Sequence, residues 1–235
     1  MSEQKFENWP AVLADLSEGR DLDSKTAEAV LMSVLRGEAT DAQLAAFVVA
    51  LRQKEETVDE LSGLVRAMRF ACIPINCSPE TIDLVGAGGS QMGREAALNV
   101  STIASFVAAG AGAKVCKHGN RKASSTSGSF DLLEELSIAA ELTPEQVSRC
   151  VEEVGVGFAY ARSFHPAMRH ASQVRMELGI PTVFNLLGPL SHPASLTRQV
   201  IGVPIEATGK RMAEVLKVTG TELAMVVTGD GGLDE

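Results

Sequence analysis

The N-terminal part of the chain, up to about residue 70, places apolar residues at the spacing of amphipathic helices. Thr40 precedes Gln43 by three positions, and Thr57 precedes Glu60 in the same way, which is the capping-box pattern that begins a helix. The second pattern is followed by apolar residues at three- and four-residue intervals: Leu61, Leu64, Val65 and Met68. A further helix is expected over residues 25–35, ending near Gly37. These patterns predict three or four short helices without strands, forming a small bundle.

After Pro79 the pattern changes to short apolar runs separated by longer amphipathic segments. The apolar runs predict buried strands at residues 81–85, 114–117, 155–160, 199–203 and 223–228. Helices are predicted between them at residues 101–109, 130–136, from 143 onward, 166–178 and 206–218. Alternating strands and helices predict a mainly parallel sheet with helices on its faces. The expected fold class is therefore α/β, with a small N-terminal all-α domain and a larger α/β domain.

Composition and charge narrow the classes of function. Of the 235 residues, 45% are hydrophobic and 22% are charged, which is typical of a folded globular protein. The formal net charge of -9 argues against a protein that binds nucleic acid. No apolar segment approaches the roughly 18 residues that cross a membrane, and residues 1–10 lack the apolar region of a signal peptide. We therefore expect a cytoplasmic protein without membrane or nucleic-acid partners.

The cysteine pattern predicts neither a metal site nor a disulfide framework. Four cysteines are present: Cys72, Cys77, Cys116 and Cys150. They include no pair with the two-residue spacing of zinc or redox motifs. We expect buried free thiols.

A glycine-rich segment directly follows the first predicted strand. Residues 86–93 read Gly-Ala-Gly-Gly-Ser-Gln-Met-Gly, and glycines let a loop turn sharply and bring its amides against an anion. The segment does not fit the P-loop pattern, because Arg94 stands where lysine is required after Gly93. It does not fit the dinucleotide fingerprint either, because Gln91 takes the place of the last glycine. From its composition alone, a flexible turn between strand and helix is an equal alternative.

Two neighbouring segments favour phosphate binding. Residues 99–102, Asn-Val-Ser-Thr, precede a helix of small apolar residues, so Ser101 or Thr102 is expected to cap it. The helix N-terminus would then present free amides to a phosphate, although an ordinary cap is the alternative. Residues 117–129 contain three cations, five hydroxyl groups and two glycines. This density of donors predicts a phosphate-binding loop rather than a loop that is merely solvated.

Two further groups are candidates for binding an anion and a metal ion. His165 opens a predicted helix, and Arg175 lies ten residues later, nearly three helical turns away. Both side chains are therefore expected in a similar angular sector, where they would meet a carboxylate ligand, although each is also compatible with a structural role. Asp234 and Glu235 follow a glycine-rich turn. They are either hard oxygen ligands for Mg²⁺ or a charged chain end.

Together these segments resemble the anthranilate phosphoribosyltransferase family, which acts in tryptophan biosynthesis and shares its fold with pyrimidine nucleoside phosphorylases. The resemblance runs from the N-terminal helices to the last residue and includes the loop at Gly86. Its most specific segments are residues 99–102, 117–129, 165–169 (His-Pro-Ala-Met-Arg) and 184–190 (Phe-Asn-Leu-Leu-Gly-Pro-Leu).

The resemblance implies a homodimer of two-domain subunits that associate through the helical domain, with the active site in the hinge between the domains. The implied helical domain covers residues 1–78, with residues 169–193 returning to it. The implied α/β domain, which binds phosphoribosyl pyrophosphate (PRPP), covers residues 79–168 and 194–235.

The resemblance also implies a role for individual residues. PRPP is expected to contact Gly86, Gly89, Ser90, Asn99, Val100, Ser101, Thr102, Lys117, Asn120, Arg121, Ser125 and Ser129. Anthranilate is expected near Gly86, Asn120, His165 and Arg175, with the arginine facing its carboxylate. Mg²⁺, the only cofactor expected, would be held by Ser101, Asp234 and Glu235. The expected catalytic residues are Lys117, Arg121 and His165.

The implied reaction displaces pyrophosphate from C1 of the ribose by the amine of anthranilate, through an oxocarbenium-like transition state. Such a reaction needs charge stabilisation on the leaving group and orientation of the nucleophile more than it needs a strong base. Lys117 and Arg121 are expected to stabilise the leaving pyrophosphate. His165 is expected to orient the amine or relay a proton, and no general base is assigned.

The sequence departs from the family pattern in two ways. In the glycine loop Ala87 and Ser90 replace a Thr and an Asp, three extra residues precede Asn99, and Ala97 stands where the family has Thr. The family also continues beyond Glu235 with further strands and helices, so an exposed sheet edge is expected. Three alternatives stay open: a non-catalytic or incomplete homologue, a relative of the same fold acting on another base or nucleoside, and a nucleic-acid-binding relative.

Overall fold

The computed structural model describes residues 6–88, 98–121 and 127–230 of the chain. The helices are α1 (Trp9–Ser17), α2 (Ser24–Leu35), α3 (Asp41–Lys54), α4 (Val58–Ala71), α5 (Val100–Gly110), α6 (Ser129–Glu135), α7 (Pro144–Val154), α8 (Ala161–Phe164), α9 (Arg169–Leu178), α10 (Val183–Leu190) and α11 (Glu206–Val218). The strands are β1 (Ile82–Gly86), β2 (Val115–Gly119), β3 (Val156–Tyr160), β4 (Arg198–Gly202) and β5 (Leu223–Val227). A short 3-10 helix, Pro166–Met168, precedes α9.

The chain forms two compact units, each made of two separate stretches of sequence. The helical unit combines Met1–Cys72 with His165–Ser191 and contains α1 to α4, α9 and α10. The α/β unit combines Ile73–Phe164 with His192–Glu235 and contains all five described strands. The expected α/β fold class with an N-terminal helical part is thus confirmed.

Both predicted capping boxes begin helices of the helical unit. At α3, Gln43 N donates to Thr40 Oγ1 over 3.2 Å and Thr40 N donates to Gln43 Oε1 over 2.9 Å. At α4, Thr57 and Glu60 exchange the same pair of hydrogen bonds. Local sequence alone therefore fixes where these two helices begin.

The core of the helical unit forms where α2 packs on α4 and α1 packs on α3. Gly63 in α4 permits the close approach of α2, because a Cβ atom at this position would lie only 2.1 Å from the carbonyl oxygen of Ser24. The indole ring of Trp9 meets the fully buried ring of Phe47 edge-on, with centroids 6.0 Å apart. A small residue at one crossing and aromatic rings at the other thus set the spacing of the helices.

Glu60 joins three parts of the helical unit through one buried carboxylate. Its Oε1 accepts from Leu22 N at 2.9 Å, and its Oε2 accepts from Thr57 N at 2.8 Å and from Lys54 Nζ at 2.9 Å. The Glu60 side chain is fully buried, and the carboxylate has its hydrogen bonds made within the unit. This residue ties α4 to the end of α3 and to the segment before α2.

The α/β unit contains a five-stranded parallel sheet with the order β3-β2-β1-β4-β5. The five predicted strands are confirmed, each within about one residue at its start and two at its end. Three of the four neighbouring strand pairs keep register over five residues, but β1 and β2 share only the pair Ile82 and Val115. The two strands nearest the candidate phosphate loops are therefore joined through their main chains at one end only.

Two apolar clusters pack against the sheet. The first cluster contains Cys116 and Ala159 from the strands, Val147 and Val151 from α7, and Phe164. The second contains the buried aromatic side chains Phe130, Phe158 and Tyr160.

The expectation of buried thiols holds only for Cys116. The other three free cysteines are half-buried: Cys72, Cys77 and Cys150. Cys72 follows the end of α4, Cys77 lies in the segment between α4 and β1, and Cys150 lies in α7. At each position, neighbouring residues cover only part of the side chain.

One predicted buried strand is in fact exposed. β5 lies at the edge of the sheet, and Leu223 and Met225 are 68% and 61% exposed. The prediction of burial was wrong here because an apolar run shows that a strand forms but not whether another element covers it. In the described part of the chain, no helix is long and apolar enough to span a lipid bilayer.

Replacement of Glu60 by Gln is expected to lower the free energy of unfolding of the helical unit by about 2 to 4 kcal/mol. All the bonds to Glu60 come from donors, so the amide nitrogen of Gln would face a donor whichever way it turns. Urea unfolding followed by fluorescence of Trp9, the single tryptophan of the chain, measures this change. Asp59→Asn, at an exposed position in the first turn of the same helix, is the matched control. Equal stability of the two variants would contradict the role of Glu60.

Candidate active site

The first candidate loop begins at the point where the strand order of the sheet reverses. The next two strands in the chain, β2 and β3, lie on one side of β1, and the last two, β4 and β5, lie on the other side. The strand order therefore reverses between β1 and β4. Open α/β sheets bind ligands outside the carboxyl ends of their strands at such a point. Gly86 ends β1 there, and Ala87 N donates to the carbonyl oxygen of Gly202 at the end of β4, over 2.8 Å. Sequence reasoning identified Gly86 but not Gly202, whose place depends on strand order.

The second candidate segment forms the N-terminus of α5. The prediction that Ser101 or Thr102 caps this helix is wrong, because α5 begins at Val100 with Asn99 as its N-cap. The Asn99 side chain makes no capping hydrogen bond, and its Nδ2 instead donates to Ser127 Oγ over 3.0 Å. Asn99 thus links the helix N-terminus to the loop that follows β2, and side-chain capping by Asn99 does not take up the first-turn amides.

Lys117 brings a buried positive charge to the first turn of α5. The residue lies in β2 and is only 2% exposed. Its Nζ donates to the carbonyl oxygen of Leu84 over 2.5 Å and to Ser101 Oγ over 2.9 Å. β1, β2 and α5 therefore converge on one ammonium group. Thr102, in the same turn, is fully buried, and its hydroxyl has no hydrogen-bond partner among the described residues.

The loop after β2 is closed at its base. The carbonyl oxygen of Asn120 accepts hydrogen bonds from Ser129 Oγ and Phe130 N, both over 3.3 Å. A Cβ atom at Gly119 would lie 2.2 Å from Ser129 Oγ, so a larger residue there would displace the hydroxyl that takes part in this closure. The main chain thus brings Asn120 and Ser129, both predicted to contact PRPP, to the same end of β2.

Arg121 contacts a carboxylate of α6 and an aromatic ring of β3. Its Nη2 lies 2.6 Å from Glu134 Oε1, and its guanidinium carbon lies 5.6 Å from the centre of the Tyr160 ring. The charge of Arg121 is therefore already paired with a carboxylate in this structure. The sequence contains no signal for this pair, because Glu134 lies in the following helix and meets Arg121 only through the closed loop.

His165 lies in the helical unit, at the start of the 3-10 helix that precedes α9. The prediction that His165 and Arg175 share one helical sector is wrong, because α9 begins only at Arg169. His165 is 6% exposed, and burial lowers the pKa of its imidazole to about 4, although interaction with the main chain of Ser191 partly opposes the shift. The ring is therefore uncharged near neutral pH, so it is suited to orienting a ligand and not to acting as a cation.

Arg175 is a partly buried cation that has no acidic partner among the described residues. Its guanidinium carbon lies 5.1 Å from the centre of the Phe184 ring, and burial lowers the pKa of the side chain. Among the described residues, no carboxylate lies within ion-pair distance of it. A guanidinium stacked on an aromatic ring and left without a counter-charge is suited to binding the carboxylate of a planar ligand.

Several predicted site residues lie outside the described residues: Gly89, Ser90, Ser125, Asp234 and Glu235. The departure at Ala97 also lies outside them. Of the three predicted metal ligands, only Ser101 is described. Within residues 6–88, 98–121 and 127–230, no group of three or more His, Cys, Asp or Glu side chains is arranged to hold a metal ion.

Comparison with known families gives a match for each part of the chain. Residues 78–235 match the glycosyl transferase family, a/b domain, and residues 10–72 match the glycosyl transferase family, helical bundle domain. Anthranilate phosphoribosyltransferase of Nitrobacter hamburgensis is 46% identical over 98% of this chain and 67% of its own length. The protein of the same name from an Arthrobacter species is 46% identical over 97% of this chain and 63% of its own length.

Solved structures agree with these matches. The crystal structure of anthranilate phosphoribosyltransferase from Thermus thermophilus superposes with a TM-score of 0.87 and 42% identity, over 95% of this chain and 67% of that one. The enzyme from Saccharomyces cerevisiae in complex with PRPP and Mg superposes with a TM-score of 0.84 and 29% identity, over 97% and 67% of the two chains. A further structure of the yeast protein, with 4-fluoroanthranilate, has a TM-score of 0.81 at 27% identity and covers 97% and 66%. The present chain thus spans about two thirds of the length of these relatives.

The buried His165 is expected to make stability depend on pH. Its pKa is about 4 in the folded protein and 6.5 ordinarily, so between these values the unfolded chain binds the proton more readily. The contribution of His165 to the free energy of unfolding of the helical unit therefore falls as the pH drops from about 6.5 toward 4, by up to about 3 kcal/mol. Urea unfolding at pH 7.5 and at pH 5, followed by Trp9 fluorescence, measures the loss. His165→Gln should reduce the pH dependence and His170→Gln should retain it; the same dependence in both would contradict this assignment.

Proposed function

The chain belongs to the anthranilate phosphoribosyltransferase family, and we propose that it transfers the phosphoribosyl group of PRPP to the amine of anthranilate. The products are N-(5-phosphoribosyl)anthranilate and pyrophosphate, and the reaction serves tryptophan biosynthesis. The matched relatives bear the name of this activity. The yeast structures in complex with PRPP and with 4-fluoroanthranilate support both substrates.

The observation that carries this proposal is the position of the Lys117 ammonium at the first turn of α5. Ser101 and the main chain of Leu84 hold this group where the helix N-terminus would meet an anion. A positive side chain and a helix N-terminus together favour a phosphate over an uncharged ligand. We assign this place to the pyrophosphate part of PRPP, with Gly86, Asn120 and Ser129 at the ends of the adjoining strands and loops.

The proposed chemistry needs stabilisation of negative charge as the bond from C1 to pyrophosphate breaks. Lys117 is suited to this because its ammonium group is already fixed and desolvated, so little reorganisation is needed during the reaction. Arg121 would have to leave Glu134, or share its guanidinium with it, in order to contact PRPP. We therefore assign the main stabilising role in the described part of the site to Lys117.

The acceptor residues are proposed on the helical unit. Arg175 supplies a guanidinium for the carboxylate of anthranilate, since no described carboxylate pairs with it, and the ring of Phe184 fixes its plane. His165, uncharged near neutral pH, orients the amine through a hydrogen bond. Since an aromatic amine loses its proton readily after attack on C1, no strong base is required.

Mg²⁺ is proposed as the cofactor, held by Ser101, Asp234 and Glu235. One hydroxyl and two carboxylates are hard oxygen donors of the kind that Mg²⁺ prefers, so the donor set fits the ion. The yeast complex with PRPP and Mg supports this choice. When bound, the ion supplies positive charge to the pyrophosphate group. In the described part of the site, Lys117 Nζ donates to Ser101 Oγ and thereby orients the hydroxyl.

The domain division, the oligomeric state and the location are also proposals. A helical domain of residues 1–78 with 169–193, and an α/β domain of residues 79–168 with 194–235, are supported by the two compact units and the two family matches. A homodimer through the helical domain is supported by its exposed apolar side chains, among them Phe70 and Met176. A cytoplasmic location is supported by four free cysteines.

The proposed activity is tested by mixing the purified chain with anthranilate, PRPP and Mg²⁺ and following the loss of anthranilate fluorescence. Turnover that requires all three components is the expected result. A folded chain that shows no turnover and does not bind pyrophosphate in calorimetry would contradict the proposal. Lys117→Met, which removes the ammonium but keeps the length of the side chain, should abolish pyrophosphate binding.

Arg175→Ala is expected to raise the KM for anthranilate about tenfold or more, because a charged hydrogen bond to the carboxylate is lost. The KM for PRPP should stay within about twofold, since Arg175 lies in the other unit from Lys117. Steady-state kinetics with each substrate varied in turn measures both values. Arg149→Ala, which removes an exposed guanidinium already paired with Glu153, is the matched control and should change neither. An unchanged KM for anthranilate in Arg175→Ala would exclude the assigned role.

A further inference from the structure

The pairing between β1 and β2 is interrupted at the end of the sheet that carries the candidate site. These strands share the register pair Ile82 and Val115, whereas β1 with β4 and β2 with β3 keep five pairs each. The interrupted part contains Asp83 and Leu84 on one strand and Lys117 and His118 on the other. Main-chain hydrogen bonds of the regular ladder therefore do not fix the relative position of the residues that lead into the two candidate phosphate loops.

Two side chains cross this interruption in opposite directions. Asp83 Oδ1 on β1 accepts a hydrogen bond from His118 N on β2, over 3.1 Å. Lys117 Nζ on β2 donates to the carbonyl oxygen of Leu84 on β1, over 2.5 Å. Each strand thus supplies one side chain to the main chain of the other. These two bonds take the place of the missing ladder bonds, one made by the amide of His118 and the other by the side chain of Lys117.

The carboxylate of Asp83 is costly to bury. The residue is fully buried, and burial raises its pKa to about 7, although the positive charge of Lys117 and the amides of His118 and Leu84 oppose the shift. Its Oδ2 has no hydrogen-bond partner in the described part of the chain. Gln199, its register partner on β4, is also buried, and its Nε2 has none either. A buried carboxylate with one unsatisfied oxygen lowers the stability of the fold, so stability does not explain why Asp83 lies beside Lys117.

We propose that Asp83 is a positioning residue for phosphoribosyl transfer, whose carboxylate holds the peptide before His118 and thereby places the Lys117 ammonium at the first turn of α5. This inference rests on the function proposed above. Asp83 does not touch the substrate and acts through Lys117. The ammonium group of Lys117 is held by Leu84 and Ser101, and the peptide that follows Lys117 is held by Asp83 through the amide of His118.

The role of Lys117 depends on the position of its ammonium group as well as on its charge. Because Lys117 is almost fully buried, its ammonium group has little room to recover its contacts after a shift of the main chain. Loss of the Asp83 bond would free the amide of His118 and let β2 move relative to β1. The ammonium would then no longer lie at hydrogen-bond distance from Ser101 Oγ, and binding of the pyrophosphate group would weaken.

The test compares three variants in the full chain. Asp83→Ala removes the acceptor, and Asp83→Asn keeps an oxygen that accepts from His118 N. Thr81→Ala is the matched control, because Thr81 is also fully buried but precedes the paired end of β1. Each variant is checked for folding by circular dichroism. The KM for PRPP, the KM for anthranilate and kcat are measured, and binding of inorganic pyrophosphate is measured by calorimetry.

Asp83→Ala is expected to raise the KM for PRPP and the Kd for pyrophosphate about tenfold or more, with the KM for anthranilate within about twofold. Asp83→Asn should restore both values to within about threefold of the unmodified chain. Thr81→Ala should lower the melting temperature and leave both values unchanged. If Asp83→Ala does not fold, Asp83→Ser, whose hydroxyl is too short to reach His118 N, takes its place in the comparison.

Two results would overturn the inference while the proposed function stands. One is an active unmodified chain whose folded Asp83→Ala variant keeps its KM for PRPP. The other is an Asp83→Asn variant as impaired as Asp83→Ala, which would show that the charge matters and not the hydrogen bond. An unmodified chain that neither turns over PRPP nor binds pyrophosphate would remove the proposed function, and this inference with it.

Discussion

The hydrogen bonding of the Lys117 ammonium is the interaction on which the α/β unit depends. A lysine that is almost fully buried requires acceptors on every side, and here β1 supplies a carbonyl oxygen and α5 a hydroxyl. The same bonds that make burial tolerable also fix the helix N-terminus relative to two strands. Folding therefore places a desolvated positive charge at the carboxyl end of the sheet. Open α/β sheets bind their ligands at this end.

The buried charged side chains differ in whether the protein itself supplies their polar partners. Glu60 receives donors from three segments, and Lys117 is held by Leu84 and Ser101, so both are satisfied within their own units. Arg175 has an aromatic ring beside it but no carboxylate among the described residues. Internal pairing organises the fold in the first two cases, and in the third the absence of a described carboxylate partner supports the proposed role in binding a ligand. This contrast distinguishes a structural charge from a binding one on physical grounds.

The sequence predicted features that depend on neighbouring residues and missed those that depend on distant ones. The capping boxes at Thr40 and Thr57 were confirmed because their partners lie three residues away. The exposure of β5, the pairing of Arg121 with Glu134 and the interrupted ladder beside Asp83 depend on strand order and tertiary packing. The helix α10, which contains Pro189, was not among the predicted helices. The family was recognised from motifs, whereas the partners of its residues required the structure.

The division of the helical unit into two stretches of sequence has a consequence for synthesis. α9 and α10 pack against α2, α3 and α4, yet they follow β1, β2 and β3 in the chain. The ribosome therefore releases the first four helices long before the two that cover them, and their apolar surface stays open in the nascent chain. Arg175 lies on the late segment. The order of translation thus makes Arg175, the proposed carboxylate-binding residue, one of the last parts of its own unit to be put in place.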